Sequence, residues 1–74
     1  MKKYRLTDET KTFFGRTLHR IECIEAFADI EAGENGGWIE KESNLSQIGD
    51  AWVYGDARVS GNAQVYGDAQ VYGN

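Results

Sequence analysis

Four consecutive six-residue units lie at the C-terminal end of this sequence. They begin at Gly49, Gly55, Gly61 and Gly67, and each reads Gly, Asp or Asn, Ala, a variable residue, Val, then Tyr or Ser. A unit this short cannot bury its own apolar atoms, so it becomes stable only by stacking on neighbouring turns of the chain. The period therefore predicts a β-solenoid over residues 49–74.

Within each unit, the alanine and the valine are separated by one residue, so both point to the same side of an extended strand. We expect that side to form the interior: Ala51, Val53, Ala57, Val59, Ala63, Val65, Ala69 and Val71. The residues between them are expected to point outward: Trp52, Arg58, Gln64 and Gln70. Each glycine marks a corner, because glycine adopts positive φ without steric cost and the following Asp or Asn caps the turn.

Residues 1–48 lack these units and are expected to form an N-terminal β cap. Residues 17–24 are rich in β-branched and apolar side chains, which favours a strand. The Phe-Phe-Gly-Arg sequence at 13–16 reads as a hairpin-like turn, so residues 3–7 are expected to pair with that strand. Irregular coils then lead into the solenoid, and we expect Leu45 to point inward.

These patterns resemble the hexapeptide-repeat proteins, whose chains wind a left-handed parallel β-helix. In that family an aliphatic residue followed four positions later by a small residue defines each hexad, and Val53–Ala57, Val59–Ala63 and Val65–Ala69 match it. The glycine two places after the aliphatic residue departs from the family pattern. The resemblance implies about three hexads per coil, so that Tyr54 would stack over Tyr72 and Trp52 over Gln70.

The resemblance extends over nearly the whole chain. Together with the apolar strand, the Gly-Gly-Trp-Ile-Glu segment and Asn44-Leu45-Ser46-Gln47, the hexads are similar to those of small bacterial and phage or prophage proteins of this family. Such proteins are often labelled transferases without demonstrated activity. The expected fold is an all-β, short left-handed parallel β-helix, a hexapeptide-repeat solenoid with an N-terminal β cap.

Composition narrows the class of protein. The chain has 74 residues, enough for one domain, and Cys23 is its only cysteine, which fits a reducing compartment and predicts a cytoplasmic location. No apolar run predicts a signal peptide or membrane span. The net charge is −4, and Arg58 is the only basic residue after position 48. This balance argues against nucleic-acid binding by the solenoid and against a membrane partner.

No catalytic, metal-binding or cofactor-binding residue is predicted. His19, the only histidine, is the candidate general base of a hexapeptide acyltransferase, but a surface or partly packed side chain is the expected role. Cys23 reads as a buried apolar residue rather than a nucleophile. The aspartates of the hexads read as turn caps rather than calcium ligands, and the glycines at 33–37 as a turn rather than a phosphate-binding loop.

The expected site is a protein-binding surface. Tyr and Trp are enriched in binding hot spots, and the predicted surface comprises Trp52, Tyr54, Arg58, Tyr66 and Tyr72. An uncapped last coil would also leave unpaired strand groups that could pair with a second copy as a homodimer. Alternatively, a partner covers that edge, or the chain is a fragment of a longer one.

We therefore expect a non-enzymatic protein–protein interaction module of phage or prophage type. In its most concrete form, it would be an inhibitor that binds and blocks a host defence protein, in the manner of anti-CRISPR proteins, or a host regulatory protein. Two alternatives stay open: a hexapeptide acyltransferase-like enzyme or a fragment of one, and a structural or self-assembly module. His19 separates the first alternative from the others, because only an enzyme would lose its activity on replacement of that side chain.

Overall fold

A computed structural model describes residues 2–73 of the chain. Six strands and one short 3-10 helix follow one another along the described part: β1 (Tyr4–Phe13), β2 (Arg16–Cys23), β3 (Asn35–Ile39), the 3-10 helix (Glu42–Asn44), β4 (Trp52–Val53), β5 (Arg58–Val59) and β6 (Gln70–Val71). The fold is mostly β, as predicted.

The first two strands form an antiparallel hairpin. Tyr4 pairs with Cys23 at its open end and Phe13 with Arg16 at its turn, which confirms the predicted strand and its pairing with the N-terminal residues. Both residues of the turn have positive φ, 51° at Phe14 and 77° at Gly15. Two successive positive values characterise the type I′ turn that joins twisted strands tightly.

The hairpin continues into a four-stranded sheet in the order β1, β2, β3, β5. β3 pairs antiparallel with β2 and parallel with β5, so one strand of the hexad region belongs to the same sheet as the hairpin. In the parallel pair Trp38 lies beside Arg58 and Ile39 beside Val59. Parallel pairing therefore begins at Trp38, and the boundary near residue 48 between cap and repeats stays a prediction.

A second, two-stranded parallel sheet joins β4 to β6, with Trp52 beside Gln70 and Val53 beside Val71. These partners are eighteen positions apart, as the resemblance to hexapeptide-repeat proteins implied. The isolated parallel bridge before it joins Leu45 to Val65, twenty positions along rather than eighteen, and Leu45 is buried, as predicted. The 3-10 helix just before Leu45 breaks the six-residue period, and its Asn44 side chain donates hydrogen bonds to the carbonyl oxygens of Gly61 and Ala63.

The glycines of the hexads turn the chain. Gly49, Gly55, Gly61 and Gly67 all have positive φ, between 56° and 82°. Because this region of backbone conformation favours glycine, a corner every six residues follows directly from the repeat. The predicted corners are confirmed.

Burial of the hexad side chains follows the predicted alternation only in part. Ala51, Val53, Ala57, Val59 and Val65 are buried with the main core. Ala63 and Ala69 are exposed, so placing these two in the interior was wrong, whereas Val71 is half-buried and packs against the core. β5 is joined to β3 of the four-stranded sheet, but among residues 2–73 β6 pairs with β4 alone, which leaves the last hexads less covered. In the described part of the chain, no helix is long and apolar enough to cross a membrane.

Candidate functional site

Trp52 was predicted to be part of the binding surface, but the structure places it in the core. Its side chain is fully buried, and the rings of Tyr4 and Phe27 meet it edge-on at centroid distances of 6.3 and 5.4 Å. Trp52 points to the opposite side of the strand from Ala51 and Val53, as the alternation of side chains along a strand predicts. Tyr4 and Phe27 cover the face of β4 that carries Trp52, so the expectation that this indole points to solvent was wrong.

Tyr54 and Tyr72 are brought together as the eighteen-residue spacing predicted. Their rings stack with centroids 4.5 Å apart and an interplanar angle of 6°. Tyr54 is half-buried, and desolvation raises the pKa of its hydroxyl. Tyr72 and Tyr66 remain exposed at 69% and 68%. These tyrosines are the accessible aromatic residues of the predicted surface, and their role in binding stays a prediction.

Arg58, the remaining residue of the predicted surface, belongs to the four-stranded sheet. It lies beside Trp38 in the register of β5 and β3, and its guanidinium carbon is 3.9 Å from the centroid of the Phe13 ring. Lys11 Nζ and the guanidinium carbon of Arg20 lie 4.4 and 5.0 Å from the Trp38 ring centroid. This face of the sheet therefore carries three cations stacked on aromatic rings, and Arg58 is separated from the stacked tyrosines by belonging to a different sheet.

The two candidate reactive side chains lie in β2. His19 is half-buried and sits between Thr10 of β1 and Ile39 of β3 in the sheet register. Cys23 is buried, and burial raises the pKa of its thiol, which keeps a thiol protonated and unreactive. Within residues 2–73 no cluster of three or more His, Cys, Asp or Glu residues could hold a metal ion, and no cavity is found.

Lys3 is buried and joins the N-terminal segment to the hexads by hydrogen bonds. Lys3 Nζ donates hydrogen bonds to the carbonyl oxygens of Gly49 (3.0 Å) and Ala51 (2.6 Å), and it lies 4.4 Å from the centroid of the Phe27 ring. Burial lowers the pKa of this lysine, while the nearby Asp50 opposes the change. An ammonium group held by carbonyl oxygens explains why the side chain is tolerated inside the protein.

The adjacent Tyr4 provides a test of this attachment. Its buried hydroxyl donates to the carbonyl oxygens of Leu45 (2.5 Å) and Glu42 (3.0 Å), and burial raises the pKa of Tyr4 well above its usual range. We expect Tyr4→Phe to lower the free energy of unfolding at neutral pH by about 1–2 kcal/mol, because buried carbonyl groups lose their donor.

The same substitution has a pH signature. The folded state holds the phenolic proton more tightly than the unfolded state, so this stabilisation is complete below the unfolded pKa of about 10 and is lost as pH rises above it. Denaturant unfolding of parent and Tyr4→Phe should therefore converge at alkaline pH. Two curves that stay parallel up to strongly alkaline pH would contradict the hydrogen bond, and Tyr66→Phe, which changes an exposed ring, is the control.

Sequence reasoning missed the hairpin turn as a surface feature. Phe14 is 89% exposed, and its ring lies 4.4 Å from that of Phe13. The only signal in the sequence was the placement of two phenylalanines at a predicted turn, where glycine, asparagine and aspartate are usual.

Arg16, which follows this turn, donates to the Glu40 carboxylate. The pKa of Glu40 is lowered first by the hydrogen bond from the backbone N–H of Gly61 and then by Arg16.

Comparison with known proteins gives one partial relationship. No protein-family model matches the chain. The sequence is 39% identical over 62 residues to an Escherichia coli (strain K12) protein named uncharacterized acetyltransferase YdcK. The match covers 73% of this chain but only 19% of that relative. The chain is thus similar to about a fifth of a protein that carries an acetyltransferase name.

Proposed function

We propose that this chain is a short left-handed parallel β-helix of the hexapeptide-repeat type, and that it serves as a scaffold unit of an acyltransferase-like protein or assembly. The observation that carries the proposal is the parallel pairing of β4 with β6 at a spacing of eighteen residues. Positive φ at a glycine every six residues supports the same winding. The partial similarity to a relative named as an acetyltransferase favours this role over that of an inhibitor.

A scaffold role agrees with how the polar side chains are used. Lys3 and Asn44, both buried, donate side-chain hydrogen bonds to backbone carbonyl oxygens of the hexads. Gln47 accepts from the backbone N–H of Lys3. These contacts fix the N-terminal sheet against the coils, whereas His19 lies in the middle of the sheet between Thr10 and Ile39.

A chimera tests the scaffold role. We expect a form of the relative, with its matched segment replaced by this chain, to be soluble and to keep the parent's oligomeric state and melting temperature within a few degrees. The reason is that the same corner and core positions would continue its coils. Size-exclusion chromatography with light scattering and thermal unfolding measure both properties. A chimera that aggregates or loses the parent's assembly would contradict the proposal.

An assay on the chain itself addresses the enzymatic alternative. Release of free coenzyme A from acetyl-CoA is followed with amine and hydroxyl acceptors, for the parent chain and for His19→Gln. On the scaffold proposal both proteins match the rate of buffer alone. Release by the parent that falls at least about tenfold in His19→Gln would instead assign general-base catalysis to that histidine.

Protein binding is a second candidate function. It is favoured by the exposure of Tyr66 and Tyr72 in the last hexads, where Ala63 and Ala69 are also uncovered. A strand edge with aromatic side chains beside it suits pairing with another chain. A host defence or regulatory protein as the partner remains a hypothesis from resemblance.

A further inference from the structure

Charge changes sign between two neighbouring segments of the chain. Residues 10–20 contain Lys11, Arg16 and Arg20 and no Asp or Glu, whereas residues 21–34 contain five acidic residues and no Lys or Arg. The β1–β2 hairpin separates these groups, because its turn lies at Phe13 and Arg16 while its open end lies at Tyr4 and Cys23. Ten residues of extended strand span about 30 Å, close to the longest dimension of 32 Å.

The basic end presents an aromatic side chain in an unfavourable setting. Phe14 is 89% exposed and has a φ of 51°, a conformation that bulky side chains rarely adopt. Its ring lies 4.4 Å from that of the half-buried Phe13, but this contact leaves Phe14 almost fully exposed and does not offset its backbone strain. Strained surface residues of this kind cluster at binding sites.

Lys11 and Arg58 lie near this turn, and no carboxylate in the described part of the chain neutralises them. Among residues 2–73, Arg16 and Arg20 are paired with carboxylates, at 2.9 Å to Glu40 and 3.7 Å to Glu9. Lys11 and Arg58 have no carboxylate within salt-bridge distance in the same part of the chain and are held instead over the rings of Trp38 and Phe13. Stacking holds these side chains in place, so less conformational entropy is lost when they meet an anion.

The opposite end of the molecule has complementary properties. The loop after β2 is fixed by backbone hydrogen bonds between Phe27 and Ile30 and from Gly33 to Cys23. It exposes four carboxylates: Glu25, Asp29, Glu31 and Glu34. Beside them it exposes apolar groups: Ile24, at 46%, with Ala26, Ala28 and Ala32.

We propose that copies of this chain associate head to tail, the Phe14 turn of one copy packing on the loop of residues 24–34 of the next. Phe14 would cover Ile24 and the alanines beside it, and Lys11 and Arg58 would face the carboxylates of that loop. The two surfaces are different and lie at opposite ends, so the interface is heterologous and generates rings or filaments rather than a closed symmetric dimer. This inference is independent of the proposed scaffold function.

Two variants each remove one side of the interface. Phe14→Asn removes the ring and places at the turn a residue that tolerates positive φ, so its melting temperature should equal or exceed the parent's. Asp29→Lys/Glu31→Lys neutralises the loop, from −4 to 0, through two exposed carboxylates that accept no side-chain hydrogen bond among residues 2–73. Circular dichroism of both variants verifies that they are folded.

Sedimentation velocity then measures association. We expect the parent's mean mass to rise with concentration, each variant alone to stay monomeric, and an equimolar mixture of the two to form a heterodimer that grows no further. The mixture restores one intact interface, since one variant keeps the loop and the other keeps the turn. Tyr66→Ser, which removes an equally exposed aromatic ring from the hexads, should associate like the parent.

Several results would overturn the proposal. These are a parent that is monomeric at every concentration, undiminished association of Phe14→Asn, or a mixture that stays monomeric. Loss of association in Tyr66→Ser would assign self-association to the last hexads instead. A monomeric parent that binds vesicles of anionic phospholipid, with binding lost in Phe14→Asn, would assign the turn to a membrane surface.

Discussion

Replacing Trp52 by alanine should remove a large share of the free energy of unfolding. The side chain is the largest fully buried one, and it packs against the rings of Tyr4 and Phe27. Truncating a buried tryptophan costs about 3–5 kcal/mol. A chain of this length has a total stability of roughly 4–11 kcal/mol, at about 0.05–0.15 kcal/mol per residue. The loss therefore removes a large share of the stability.

Two matched variants isolate the cause. Gln64 occupies the corresponding position between alanine and valine in its own hexad but is exposed, so Gln64→Ala should change the free energy of unfolding by no more than about 0.5 kcal/mol. Trp52→Phe should cost less than Trp52→Ala, because the buried indole N–H of Trp52 has no hydrogen-bond partner among residues 2–73 and only packing is lost. Denaturant unfolding followed by circular dichroism measures all three. Equal stabilities of Trp52→Ala and Gln64→Ala would refute the buried position of Trp52.

Gly37→Ala should produce the second large effect, through close approach rather than backbone conformation. A Cβ atom at this position would lie 2.6 Å from the carbonyl oxygen of Ala57 and 2.6 Å from Cγ1 of Val53. The Ala57 carbonyl cannot retreat freely, because it accepts the backbone hydrogen bond of Trp38 that joins β3 to the hexads. We expect a loss of about 3 kcal/mol, the upper end of the range for overpacked cores.

Gly33→Ala is the control for this substitution. Gly33 has a φ of 90°, and a Cβ atom there would meet no other atom within 4 Å, so alanine costs only conformational strain, about 1–2 kcal/mol. The same denaturant unfolding experiment compares the two variants. A Gly37→Ala protein at least as stable as Gly33→Ala would show that β3 and the hexads are not in contact at this point.

The local geometry could be predicted because each hexad contains a glycine that turns the chain and an alternating pair of apolar residues. Glycine every six residues predicted the corners, and the three hexads per coil implied by the family resemblance predicted both the pairing of Trp52 with Gln70 and the stacking of Tyr54 on Tyr72. The corners depend only on residues close in sequence, whereas the eighteen-residue spacing depended on the resemblance. The hairpin, like the corners, was predicted from residues close in sequence, an apolar strand and an adjacent turn.

What the repeat could not predict is how the N-terminal segment packs on it. Alternation gives the direction of Trp52 relative to Ala51 and Val53, but solvent exposure depends on whether Tyr4 and Phe27 cover that face. Leu45 lies twenty positions from its partner Val65 rather than eighteen, and nothing in the hexad pattern sets the register of the segment around the 3-10 helix at Glu42–Asn44.

The candidate site was predicted only in part for a similar reason. Comparing the charge of residues 1–48 with that of residues 49–74 gives −2 for each, from seven basic and nine acidic residues and from one basic and three acidic residues. This comparison conceals the change of sign between residues 10–20 and residues 21–34. The separation of the two groups becomes evident only when the hairpin places them at opposite ends.

The proposed winding rests on the parallel pairing of β4 with β6, whose partners are eighteen residues apart. Nuclear Overhauser contacts in an isotope-labelled sample test this pairing directly. We expect contacts between the backbone of Trp52–Tyr54 and that of Ala69–Val71, with slow exchange of the Tyr54 amide, which donates to the carbonyl oxygen of Val71 at 2.8 Å. Contacts in antiparallel register, or none between these two segments, would contradict it.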